Sequence, residues 1–78
     1  MTQDKLKVRL DALVARINRR LVASGEVLRR CRNERDRANV GDWFALNLSR
    51  NSVSRKHVDV EDLAREVGAL AEYEELES

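Results

Sequence analysis

Proline is absent from this chain, glycine occurs three times, and cysteine, histidine, tryptophan, tyrosine and phenylalanine occur once each. Each shortage excludes something. Without proline, no proline turn or kink can punctuate the chain, so breaks fall to Gly25, Gly41 and Gly68. A lone Cys31 can form no internal disulfide, and one thiol is no metal site. A lone His57 leaves no histidine pair for a metal or a proton relay. With only Trp43, Phe44 and Tyr73 as aromatics, the core has to come from Leu, Val and Ala. No apolar run nears the roughly 18 residues that span a bilayer. The opening MTQDKLKVRL carries no apolar signal region. A reducing cytoplasm with no membrane contact is the expectation.

The chemistry of an enzyme is missing too. There is no glycine-rich phosphate loop, no C-x-x-C and no convincing carboxylate pair. Ser49, Ser52 and Ser54 read as turn and strand serines, and His57 has no oriented nucleophile beside it. The expectation is a protein that is not an enzyme, with no cofactor, no metal and no small-molecule substrate.

What is present is charge, unevenly spread. The net charge of the 78 residues is +1. Residues 1–40 hold eleven Lys/Arg against five Asp/Glu, and residues 41–78 hold four against nine. Such asymmetry points to an interaction surface, or to two halves that face each other within one fold or across a dimer.

The apolar pattern predicts a single small α+β domain over 1–78. Leu6, Leu10, Leu13, Ile17 and Leu21 recur at helical spacing, so a long helix is expected over 3–24, capped by Thr2, with Asp4 in its first turn and Arg19 and Arg20 near its end. Gly25 stops it in a left-handed conformation. EVLRRCR (26–32) fits strand or helix and is read as a short strand. NERDRANVG (33–41) reads as a loop. In DWFALNLS (42–49), Phe44, Leu46 and Leu48 alternate with Trp43, Ala45 and Asn47. With a turn at 49–52 and a return strand VSRKHV (53–58), residues 42–58 make a hairpin. The sheet is therefore antiparallel and two- or three-stranded. A second helix starts at Asp59 as N-cap, with Asp62 at N3 and a Val58–Leu63 hydrophobic staple, and Gly68 ends or breaks it. It serves as the C-terminal helix, and the acidic tail 72–78 is expected to fray. Both helices are expected on one face of the sheet.

Two resemblances carry little weight against the residues. Leu63-Ala64-x-x-x-Gly68 resembles the start of a helix-turn-helix. The recognition helix that this implies would be ALAEYEELES, whose four glutamates and lack of any base oppose a DNA backbone. The element order helix-strand-strand-strand-helix resembles the double-stranded-RNA-binding domain. The basic cluster which that family places at the start of its last helix is here acidic after Lys56 and His57.

Arg16, Arg19, Arg20, Arg29, Arg30, Arg32, Arg35 and Arg37 are the candidate partner-binding residues, with Trp43 as an interface anchor if the helices cover the Phe44 face. Arginine suits phosphate or carboxylate, but no aromatics interleave for stacking on single strands. Cys31, between arginines, is either a buried inert thiol or a reactive one. The long apolar stripe exceeds what a small hairpin covers, which marks Leu6, Leu10, Leu13, Ile17 and Leu21 as an oligomer seam. The expected function is a non-enzymatic protein-binding module, an adaptor, inhibitor or regulator, acting as a homodimer or within a larger complex. The alternative is nucleic-acid binding through the arginine cluster 16–37.

Overall fold

The computed structural model describes residues 5–77. It is a small α+β fold with three helices, a three-stranded antiparallel sheet and a separate parallel pair of strands. The order is β1 (Leu6–Val8), α1 (Leu10–Leu21), a 3₁₀ turn (Val22–Ser24), β2 (Glu26–Arg30), α2 (Glu34–Val40), β3 (Trp43–Asn47), β4 (Ser52–Arg55), α3 (Val60–Glu66) and β5 (Glu74–Leu76).

The first helix is shorter than its apolar stripe suggests. Residues Leu6–Val8 are extended and pair in parallel with Glu74–Leu76, so α1 starts only at Leu10. Arg9 stands at its N-cap without a side-chain cap. The expected cap Thr2 and first-turn Asp4 lie outside the described residues. From Leu10 onward the stripe behaves as a helix face should: Leu13, Ile17 and Leu21 are buried. At the other end Gly25 takes a φ of +74° and closes the 3₁₀ turn.

The hairpin forms, with Asn51 at a φ of +51° in the turn, but its return strand stops at Arg55, so residues 56–58, expected in the strand, lie outside it. Asn47 organises that turn, its Oδ1 accepting from the Arg50 N–H at 3.0 Å and the Ser49 hydroxyl at 3.0 Å. EVLRR forms β2, which pairs with β3 to give the strand order β2-β3-β4. Residues 33–41, expected as a loop, contain α2. Its Asn33 cap accepts from the Arg35 N–H at 2.9 Å, and no residue of this helix is buried. A helix that lies wholly on the surface shows no apolar period, so only its caps could have announced it.

The start of α3 follows its local signals. Asp59 accepts from the Asp62 N–H at 3.1 Å, and the staple residues Val58 and Leu63 pack in one cluster. The helix ends in a Schellman pair: Ala69 N–H to Ala64 C=O at 2.7 Å, and Gly68 N–H to Arg65 C=O at 3.3 Å. It is not the last element, because the acidic tail returns as β5 instead of fraying. The reason is charge and burial together. Arg16 reaches the Glu74 carboxylate at 3.1 Å, Lys7 pairs with Glu75, Arg65 donates to the Glu74 carbonyl at 3.0 Å, and Leu76 packs against the core. Part of the basic first half thus neutralises part of the acidic second half within the chain.

This latch titrates. The Ala71 N–H and the Arg16 guanidinium hold Glu74 below the usual glutamate range, and Lys7 does the same for Glu75. A carboxylate depressed in the folded state adds stability above its unfolded pKa and loses it as pH falls through the folded value. Glu74→Gln should therefore lower the neutral plateau towards the stability the parent has in acid, and so flatten the acid limb. Urea midpoints from neutral pH to about pH 3 test this, and an acid limb as steep as the parent's would refute it.

The core lies between the helices and one face of the three-stranded sheet. Leu13, Ile17 and Leu21 of α1 and Val60, Leu63 and Ala64 of α3 share it with Leu28 of β2, and Trp43 packs against it. Ala45, directly opposite Leu28, is fully buried. Both helices cover one face, but it is the Trp43–Ala45 face and not the Phe44 face. Alternation in β3 shows that two faces exist; residue size decides which one a helix can approach. Asn18 on α1 bonds the Leu28 backbone on both sides, accepting from its N–H at 2.7 Å and donating to its carbonyl at 3.4 Å. Ala45 leaves room for that close approach, where Phe44 or Leu46 would hold the helix off.

Candidate functional site

The face of the sheet opposite α1 and α3 carries a second apolar row, bordered near Phe44 by Asn33 and Asp36 of α2 and its cap. Val27, Leu46 and Val53 stand in register across β2, β3 and β4. Phe44 extends the row along β3, and Leu48 follows just past the end of the strand, in the turn. Val27, Phe44 and Leu46 are half-buried, while Leu48 is 52% and Val53 38% exposed. One charged side chain, Arg29 opposite Phe44, shares this face on β2. None of these five apolar residues belongs to the helix-side cluster. A contiguous apolar face without a cover marks an interaction site.

The sheet's edges offer less. Asn18 occupies the free backbone groups of Leu28 on the β2 edge. On the other edge, β4 carries an irregularity: Leu46 pairs with Val53 and Ala45 with Arg55, so Ser54 is an extra residue. Its hydroxyl donates to Glu26 at 2.7 Å, and Arg55 bridges Glu66 at 2.6 Å and Glu26 at 3.7 Å. Bulges and charges of this kind discourage strand addition.

The expected oligomer seam is mostly consumed. Leu13 and Ile17 are 0% exposed and Leu21 is buried, all inside the chain's own core, and Leu10 packs against it. Leu6 lies on β1 and is exposed. Leu48 and Val53 leave exposed apolar surface at the sheet, alongside Leu6, Val22 and Tyr73 elsewhere on the chain. Trp43, an outward anchor only if the helices covered the Phe44 face, packs against the core, and its neighbour Phe44 takes the other face. The signal for the open face was present in the alternation of Phe44, Leu46 and Leu48, but alternation cannot say which side is inward.

The arginines divide into two groups. Arg16, Arg19 and Arg20 border one depression with Gly68 and Ala69. Arg29, Arg30 and Arg32 border another with Cys31, Asn33, Asp36 and Phe44. Arg16 is engaged with Glu74, and Arg37 on α2 pairs with Asp42 at 3.2 Å. Arg19, Arg20, Arg29, Arg30, Arg32 and Arg35 are exposed and make no side-chain ion pair among the described residues.

Cys31 is buried and donates its S–H to the Asn33 carbonyl at 3.3 Å. His57 is exposed, sits at a φ of +50°, and gives its N–H to the Val40 carbonyl at 2.6 Å. Its surroundings, Arg55, Lys56, Asp59, Asp62 and Glu66, mix both signs of charge. No helix among the described residues is long and apolar enough to cross a membrane.

The chain matches no known protein family, no curated protein and no solved structure.

Proposed function

We propose that this chain is a non-enzymatic protein-binding module, an adaptor, inhibitor or regulator, that works within an assembly through the open face of its three-stranded sheet. The observation that carries this reading is the apolar row Val27, Leu46 and Val53, aligned by strand register, with Phe44 beside it on β3 and the exposed Leu48 just past the strand. Arg29, Arg30 and Arg32, which border Phe44 and make no side-chain ion pair among the described residues, add steering and selectivity more than affinity. A reducing cytoplasm remains the proposed compartment.

A second reading, nucleic-acid binding, is favoured by the exposed arginines that lack ion-pair partners. The two differ in salt response. Phosphate contacts weaken log-linearly with salt, whereas an apolar face hardly responds. The tagged chain should therefore retain protein from its native lysate after nuclease treatment and in about 1 M salt, where the Debye length is about 3 Å. Leu48→Lys with Val53→Lys should abolish that retention, and Arg29→Gln with Arg30→Gln and Arg32→Gln should not. Material lost on nuclease treatment, falling with salt and tracking the arginine variants would replace this proposal with the nucleic-acid one.

A further inference from the structure

We infer that the occupant of the open sheet face is a second copy of this chain, packed face to face about a two-fold axis. This rests on the proposed role of that face and names its partner.

The shape of the chain motivates it. Its extents are 47 × 28 × 16 Å, a slab two layers thick, with a radius of gyration of 13.4 Å. A compact domain of this length has a radius of about 11.5 Å. The chain exposes 5917 Å², whereas a compact monomer of 9.0 kDa exposes about 4,900 Å². The excess of about 1,000 Å² compares with the roughly 800 Å² that each partner contributes to a standard stable interface. A face-to-face contact of standard size would bury an area of that order.

The face suits its own copy. Leu46 lies at the centre of the row, flanked by Val27 and Val53 across the strands, by Phe44 along β3 and by Leu48 just past its end. An axis through Leu46 sets Leu46 against Leu46 and Phe44 of one copy against Leu48 of the other. Such an isologous contact needs no charge complement. The near-zero net charge of +1 opposes it little. Arg29 lies on the edge strand β2, away from the axis. Edge-to-edge pairing is the competing geometry, and Asn18 on β2 and the extra Ser54 on β4 blunt both edges. The product is a four-layer helix-sheet-sheet-helix sandwich with its sheets about 10 Å apart.

Sedimentation velocity from about 1 to about 100 μM is the test, a range that spans dissociation constants of modest dimers. The parent should sediment with twice its 9.0 kDa. Leu48→Lys and Val53→Lys, at already exposed positions, should weaken the dimer by about 100-fold or more, because symmetry buries each new charge twice. Their far-UV circular dichroism should match the parent's. Leu46→Cys supplies a check independent of lysine tolerance: sheets about 10 Å apart hold the two thiols beyond disulfide reach, but a short bis-maleimide should link them, while the parent, whose Cys31 is buried, should stay unlinked. A monomer throughout the range overturns the inference, and so does a dimer that survives both lysines or leaves Cys at 46 unlinked. If the monomer still captures another protein through this face, the protein-binding reading stands and only the second copy is lost.

Discussion

Leu13→Ala should remove about 2–5 kcal/mol of stability. A 78-residue chain commands about 4–12 kcal/mol in total, so the variant should be partly or wholly unfolded at 37 °C. Leu13 is 0% exposed and lies where α1 meets both α3 and the sheet. Truncation there loses the transfer energy of the removed carbons and leaves a cavity walled by elements fixed elsewhere. Asn18 ties α1 to β2, and Arg16 ties it to β5. Those anchors resist collapse into the void, which sets the cost toward the upper part of the range. Leu48→Ala is the matched control: on the open face at 52% exposure, it should change stability by less than about 1 kcal/mol. Urea unfolding followed by circular dichroism reads both, and similar midpoints for the two variants would contradict the position of the core.

Gly41→Ala should be the most costly addition of a single methyl group. Gly41 sits at φ +82° and ψ −173°, a region that is essentially reserved for glycine and costs other residues about 1–3 kcal/mol. Sterics add to this. A Cβ there would lie 2.8 Å from the Cα of His57 and 2.8 Å from its Nδ1. The imidazole can rotate away, but the Cα cannot move alone. His57 is pinned by its N–H bond to Val40, and Val58 by its N–H bond to the Trp43 carbonyl at 2.9 Å. The segment joining α2 to β3 and the segment joining β4 to α3 would have to separate. A loss of about 2–4 kcal/mol is expected, strain and clash together. Gly25→Ala is the comparison, since its added Cβ would meet nothing within 4 Å and it should lose only the cost of the left-handed backbone, about 1 kcal/mol. Equal losses for the two would show that His57 yields freely and that this junction is not close-packed.

Together these substitutions separate the two faces of the sheet. Change on the helix side should be costly for the monomer, while change at the exposed Leu48 or Val53 should be cheap for folding. The same division explains how the chain keeps a small core. Ala45 and Ala64 are fully buried and let the helices approach closely, while the bulkier Phe44 and Leu46 remain on the open side.

The sequence by itself determined the elements whose causes are local. The apolar spacing of Leu10, Leu13, Ile17 and Leu21 made α1, the Asp59 cap and Val58–Leu63 staple made the start of α3, and the turn around Asn51 made the hairpin. Each is decided by residues a few positions apart. Most of the candidate arginines were equally legible as exposed charge, whereas Arg16 is half-buried against Glu74 and Arg37 pairs with Asp42. Tertiary structure alone decided the rest. Whether Leu6 belonged to the helix was settled by Glu74, 68 residues away in the chain. Whether the tail frayed was settled by Arg16 and Lys7. Whether Trp43 or Phe44 faced inward was settled by how closely α1 could approach across Ala45 and by the hold of Asn18 on Leu28. Alternation has a period and no sign; only the packing partner, which the local sequence does not contain, supplies the sign.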